Sequence, residues 1–314
     1  MSTLETVTAE EYKEQFGRHG FLAPVIDLIS HNNRVIHNDW FELARDTNAC
    51  LQAIALKAME EHVGAIGDKN VLSTLLLLRS LGLLQGSIMM LEKGMLVEAR
   101  ILMRAMLETS FCLGAIHDDA DAFVAQFKSD HRKSSRQQAE AAISCGALDP
   151  ASDQFQALTK TIETISKSEQ LMRMTDIGKT GPLARSVLLY KIMSNDSAHN
   201  SVTSVLNHFD HDKGQFSLGP AENDKIELNL DNLVLIATGI GVGFTNIVGD
   251  VESNLQVTTL CQRYGALRAK ASGGCIPGMG AGPTAPSSTP PETEPSPPSS
   301  DRRPRPRAPA AWFR

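Results

Sequence analysis

ARILMRAMLE, residues 99–108, decides the fold, because as a helix it is apolar on two opposite sides. At about 100° per residue, Arg104 shares a face with Val97, Ile101, Leu107 and Phe111, while Met95, Leu102, Met106 and Leu113 take the other. A helix over 94–117 with so little polar surface belongs in the middle of a bundle. Arg100, Arg104 and Glu108 then cannot all reach water, and leaving a buried charge unpaired costs roughly 3–5 kcal/mol. An Arg-before-Glu pair one turn apart contributes only about 0.2–0.5 kcal/mol, so further partners are expected across the bundle.

The rest of the chain reads the same way. Of fifteen prolines in 314 residues, only Pro24, Pro150, Pro182 and Pro220 precede residue 276, so few breakers interrupt Leu, Ala and Met at helical spacing. Aromatic content is 5%, and no set of alternating runs suggests a sheet. After Asp39, the positions Phe41, Ala44, Asn48, Leu51, Ala55 and Ala58 form a helical stripe, and a helix over 70–92 precedes the one that begins near Gly94. Asp149-Pro150 suits a helix cap followed by proline at the first helical position. Gly178 and Gly181-Pro182 separate later helices, one of them spanning about 183–208. Residues 209–227 read as a polar surface loop before a last helix over about 228–269.

The fold expected is all-α: a single large helical bundle with a disordered tail rich in Pro, Ser and Arg. The domain limits expected are 1–38 for an N-terminal helical extension, 39–270 for the bundle and 271–314 for the tail. From Ser272 onward the sequence has too few apolar residues to form a core. The stretch VLSTLLLLRSLGLLQGSIMML, residues 71–91, is long enough to cross a bilayer, but Arg79 near its middle favours a buried helix and no membrane.

Composition narrows the function. A net charge of -6 removes the broad positive field of indiscriminate phosphate binders. Five cysteines, Cys50, Cys112, Cys145, Cys261 and Cys275, are odd in number and unpaired in spacing. With a polar, acidic N-terminus, they suggest the cytoplasm. No cofactor or metal is expected. Two weaker metal options are His117-Asp118-Asp119 with Asp121, and His208 with Asp210, His211 and Asp212. Capping of the following helix accounts for the first without a metal. In ATGIGVGF, residues 237–244, Gly239 and Gly243 read as small residues for close helix packing. KSDHRKSSR, residues 128–136, reads as a solvated basic face.

The partners sought by the central helix are best supplied by LARSVLLYKIMSNDSAHNSVTSVL, residues 183–206, which offers Tyr190, Asp196 and His199. His199 shares a face with Leu188, Ile192 and Leu206, which points it inward if that helix is continuous. Here the sequence resembles a widespread bacterial helical family known as domain of unknown function 5677. ARILMRAMLE is similar to that family's Arg-to-Glu helix and YKIMSNDSAH to its Tyr, Ser and His signature, over roughly residues 40–210. The resemblance implies that Arg104, Glu108, Tyr190, Ser194 and His199 form one polar cluster inside the bundle.

Two functions are compatible with such a cluster. In the first, the protein is HEPN-like and acts on RNA or nucleotides, with His199 transferring protons, Arg104 holding phosphate and Glu108 orienting either. HEPN ribonucleases and nucleotidyl-modifying proteins are similar in size and in using Arg and His, but carry the Arg a few residues before the His. Here Arg185 lies fourteen residues before His199, so Arg104 would supply the cation from another helix. In the second, the cluster is structural and the protein is a non-enzymatic binding or scaffolding module. Long apolar helices also favour a homodimer.

Overall fold

A computed structural model of the chain describes residues 7–179, 186–195, 202–206, 208–210, 214–216, 219–220 and 222–271. Of the expected tail, only Ala271 falls among them, as the last residue of a helix. The all-α reading holds: the described residues form twelve α-helices, a single 3-10 turn and a two-stranded hairpin.

Five long helices make the core: α3 (Asn38–Glu61), α4 (Lys69–Glu92), α5 (Leu96–Asp118), α11 (Asn223–Val248) and α12 (Val251–Ala271). α5 packs on both α4 and α11, which also pack on each other, and continues on its other flank against α6 (Ala120–Ser144), α8 (Met174–Ile177) and α9 (Ser186–Met193). Its buried side chains, among them Met103, Met106, Leu107, Phe111 and Leu113, come from both faces, as the two-sided apolar pattern requires. α3 and α12 run antiparallel, as the pairing along them records. Lys57 meets Asp250 at 2.9 Å, Asp46 meets Arg263 at 2.8 Å and Asp39 meets Lys270 at 2.9 Å.

α4 starts where Asp68 caps it, its side chain accepting from the backbone N–H of Asn70 (2.8 Å) and Val71 (3.2 Å). Its buried Ser80 and Ser87 donate to the carbonyls of Leu76 and Leu83, which satisfies two hydroxyls inside an apolar helix. Both α4 and α11 are long and apolar enough to cross a membrane. In α4, Arg79, Gly82 and Gln85 are exposed, while Leu77, Leu81, Leu84 and Leu91 are buried in the bundle core.

The N-terminal part carries α1 (Ala9–His19) and α2 (Ile26–Ile36). Thr8 and Glu11 close a capping box at the start of α1. Ala23, Val25 and Ile26 form a small apolar cluster with Tyr12, Phe16 and Phe21. α2 rests on α3 and α4. There the buried Asn33 donates to the Glu92 carbonyl at 2.8 Å, and the Glu92 side chain accepts from Arg34 and Arg45.

Several expectations are corrected. The last helix is two, because Gly249 adopts a left-handed conformation (φ 73°) at the end of α11. The Asp250 side chain then accepts from the Ser253 N–H at 3.1 Å and starts α12. Residues 209–227 are not all loop: β1 (Phe209–Asp210) pairs antiparallel with β2 (Gln215–Phe216), and α11 already begins at Asn223. α7 (Asp153–Thr164) is capped by Ser152 and not by Asp149, whose side chain accepts from Ala151 N–H in the preceding turn. The helix expected over about 183–208 is described only in part, since residues 183–185, 196–201 and 207 lie outside the described residues. α9 ends at Met193, Ser194 and Asn195 form a π-helical turn, and α10 (Val202–Leu206) follows.

Two packing readings also change. In α11 the glycine under pressure is Gly241, where a Cβ would fall 2.8 Å from Leu51 and 3.1 Å from Val257, while Gly239 faces open space and Gly243 makes ordinary contact. The basic stretch of α6 is a clamp as well as a solvated face. Arg132 pairs with Glu169 at 2.6 Å, and the buried Arg136 donates to the Ile165 carbonyl at 2.6 Å. Asp130 accepts from the Met172 N–H at 2.7 Å, so α6 holds the irregular segment that follows α7.

Candidate functional site

Arg104, Glu108, Tyr190 and Ser194 meet where α9 crosses the flank of α5. Arg104 and Glu108 sit one helical turn apart on α5; Tyr190 and Ser194 sit one turn apart at the end of α9. The two rungs face each other. Arg104 Nε donates to Ser194 Oγ at 2.8 Å and Arg104 Nη2 donates to the Tyr190 hydroxyl at 2.9 Å. The Tyr190 hydroxyl donates to Glu108 Oε1 at 3.1 Å, and Arg104 Nη2 lies 3.1 Å from the same oxygen. The Ser194 hydroxyl donates to the Tyr190 carbonyl at 2.8 Å.

Packing holds this arrangement from below. Tyr190 is buried, with Val187 and Met193 on the same side of α9. Its ring meets Phe111 edge to face at 5.7 Å between centroids, and the Arg104 guanidinium lies 4.9 Å from the ring centre. Gly178, at the end of α8, lets both elements close: a Cβ there would lie 2.9 Å from Val187 and 3.1 Å from the Phe111 ring. Burial, then the Glu108 carboxylate, pushes the Tyr190 phenol above its usual range, so it stays a proton donor to Glu108 at neutral pH.

The cluster is half-buried and not sealed. The Arg104 and Glu108 side chains keep 22% and 27% of their surface exposed. One turn earlier Arg100 turns toward α11, its Nε donating to the buried Asn229 at 3.1 Å. The expectation that these three could not all reach water is therefore too strict, although each has partners across the bundle.

Asp196 and His199 lie outside the described residues. Leu188, Ile192 and Leu206, expected to share the face of His199, are 66%, 48% and 40% exposed. The apolar residues that face the core are instead Val187, Tyr190 and Met193. Of the metal options, Asp119 caps α6 by accepting from Ala122 N–H at 3.0 Å, and His117 lies beside Asp118 at 3.5 Å. In the second, His208 is exposed, Asp210 pairs through β1, and His211 and Asp212 lie outside the described residues. Sequence reasoning missed Gly178, Arg136 and Asn229; only the Gly178 punctuation hinted at any of them.

No curated protein and no solved structure matches the chain. A family model matches from the start of α4 through β2, so it includes all four residues of the cluster and begins about thirty residues later than the resemblance had suggested. Over residues 70–216 the chain matches the model of the family described as Family of unknown function (DUF5677).

Proposed function

We propose that the protein is a non-enzymatic binding or scaffolding module in which the Arg104 cluster is a latch fixing α9 on α5. The observation that supports this reading is closure. Arg104 gives to Ser194 and Tyr190, Tyr190 gives to Glu108, Ser194 gives to its own helix, and the Arg104 charge is matched by Glu108. The charge and both hydroxyls are engaged with one another, as in a connected structural network. By holding Tyr190 inward, the latch turns Leu188 and Ile192 outward, which leaves apolar surface for contact.

A second reading, HEPN-like action on RNA or nucleotides, is favoured by one observation: Arg104 and Glu108 retain water contact, so phosphate could reach the guanidinium. Purified protein incubated with labelled RNA and with nucleotides separates the two. The latch reading expects no turnover from the parent protein and a loss of stability in Arg104→Ala and Tyr190→Phe. Turnover by the parent that disappears in a folded His199→Ala or Arg104→Ala variant would overturn it in favour of the second.

A further inference from the structure

α4 carries more apolar surface than the bundle covers. Only 44% of its most apolar stretch is buried, and between Lys69 and Glu92 at its ends it holds a single charge, Arg79. Leu75, Gly82 and Met89 recur every seven residues, which puts them along one face. Leu75 and Met89 are about half exposed, and a Cβ at Gly82 would meet nothing within 4 Å. On α3, Leu56 and Met59 are half exposed as well. His62 meets Thr74 and Gln52 meets Gln85, so the two helices run antiparallel, with Gly82 level with the stretch from Ala53 to Leu56. The bundle thus leaves one continuous apolar face on α3 and α4.

Size and pattern together identify what covers this face. At 24 residues α4 is about 36 Å long, and two helices each about 10 Å wide give roughly 700 Å², near the ~800 Å² that each partner brings to a specific interface. The pattern is self-complementary. A two-fold axis that lies in the face and crosses α4 at Gly82 sets Leu75 against the partner's Met89. The two glycines meet at the axis and let the helices approach closely. Ala49 and Ala53 are exposed on α3, and the same axis brings Leu56 and Met59 over the partner's Ala53 and the partner's Ala49. Large side chains therefore meet small ones across the contact. Arg79 lies about 60° round the helix from Gly82 and stays at the rim, where its charge keeps its water.

We propose that the α3–α4 face is the interface of a homodimer, in which α4 packs antiparallel on the α4 of a second copy with Gly82 at the two-fold axis. A glycine in the middle of an exposed helix weakens that helix, and no neighbour within the chain needs the space at Gly82. The second copy is what needs it. The contact uses none of the latch residues, so it stands or falls apart from the latch.

Sedimentation equilibrium of the full chain is the test, with a dimer expected at micromolar concentration. Gly82→Gln fits the open space of one copy and favours the helix, but overpacks the axis. It is expected to keep the helical circular dichroism of the parent protein while the dimer dissociation constant rises by about tenfold or more. Leu75→Lys, at a half-exposed position, is expected to do the same. Disulfide trapping checks the register: Leu75→Cys mixed with Met89→Cys is expected to link the two variants, while Leu75→Cys alone leaves its new thiols about 21 Å apart along the helix. A monomer at micromolar concentration, a dimer indifferent to both Gly82→Gln and Leu75→Lys, or Leu75→Cys linking to itself in preference to Met89→Cys would each overturn the proposal.

Discussion

Gly178→Ala perturbs the latch without touching any of its polar groups. The backbone permits alanine, since Gly178 sits in the right-handed region at φ -70°, and removing a glycine stabilises by about 0.4–1 kcal/mol through the unfolded chain. Space does not permit it. The new methyl would stand 2.9 Å from Val187 Cγ2 and 3.1 Å from two Phe111 ring carbons, and Phe111 is itself packed on Tyr190. Overpacking of this kind costs about 1–3 kcal/mol, so the net loss is up to about 2.5 kcal/mol. α9 is the short element that yields, and amide exchange of residues 187–193 should rise more than that of α4 or α11. Urea unfolding gives the magnitude, and Val187→Ala in the Gly178→Ala background should return part of it by removing the nearer clash. A stabilised Gly178→Ala, or a double variant no better than the single one, would refute the packing argument.

Three other outcomes follow from separate features. Gly249→Ala should cost about 1–2 kcal/mol, because φ 73° is unfavourable for any side chain; the exposed helical Gly239→Ala should instead stabilise by up to about 1 kcal/mol, as read from paired thermal melts. Lys57, first, and Ser253 hold the Asp250 carboxyl down at about 2. Its contribution is therefore complete above the unfolded carboxyl pKa and lost as pH falls through about 2. With Lys57 42% exposed, it amounts to roughly 1–2 kcal/mol, and in urea unfolding at descending pH Lys57→Ala should flatten that part of the profile. Arg136→Ala should free the Ile165 carbonyl and loosen α7 from α6, seen as faster proteolysis near residues 165–172 with the core helices still protected.

Much of the bundle was legible because period and punctuation agreed. α4 and α5 fall where apolar spacing and Gly94 put them, and Tyr190 meets Arg104 and Glu108 as charges on an apolar helix require, whereas Ser194 was implied only by the family resemblance. What stayed hidden depended on contacts or on backbone angles. The break at Gly249-Asp250 rests on a left-handed glycine that the unbroken apolar pattern concealed. The inward side of α9 could not be chosen from the sequence, since Leu188 and Ile192 are as apolar as Val187 and Met193. Only the docking of Tyr190 on Phe111 decides between them. Arg136 looked like one more solvated cation until the chain returned to offer it the Ile165 carbonyl.

A double-mutant cycle on Arg104→Ala and Tyr190→Phe, followed by urea unfolding, tests the latch most directly. Tyr190→Phe keeps the ring on Phe111 and removes only the hydroxyl shared by Arg104 and Glu108, at an expected cost of about 1.5–3 kcal/mol. If the two helices are locked through that hydroxyl, the coupling between the substitutions is about 1–2 kcal/mol. Losses that add within about 0.5 kcal/mol would contradict it, since groups that act independently do not fasten one helix to another.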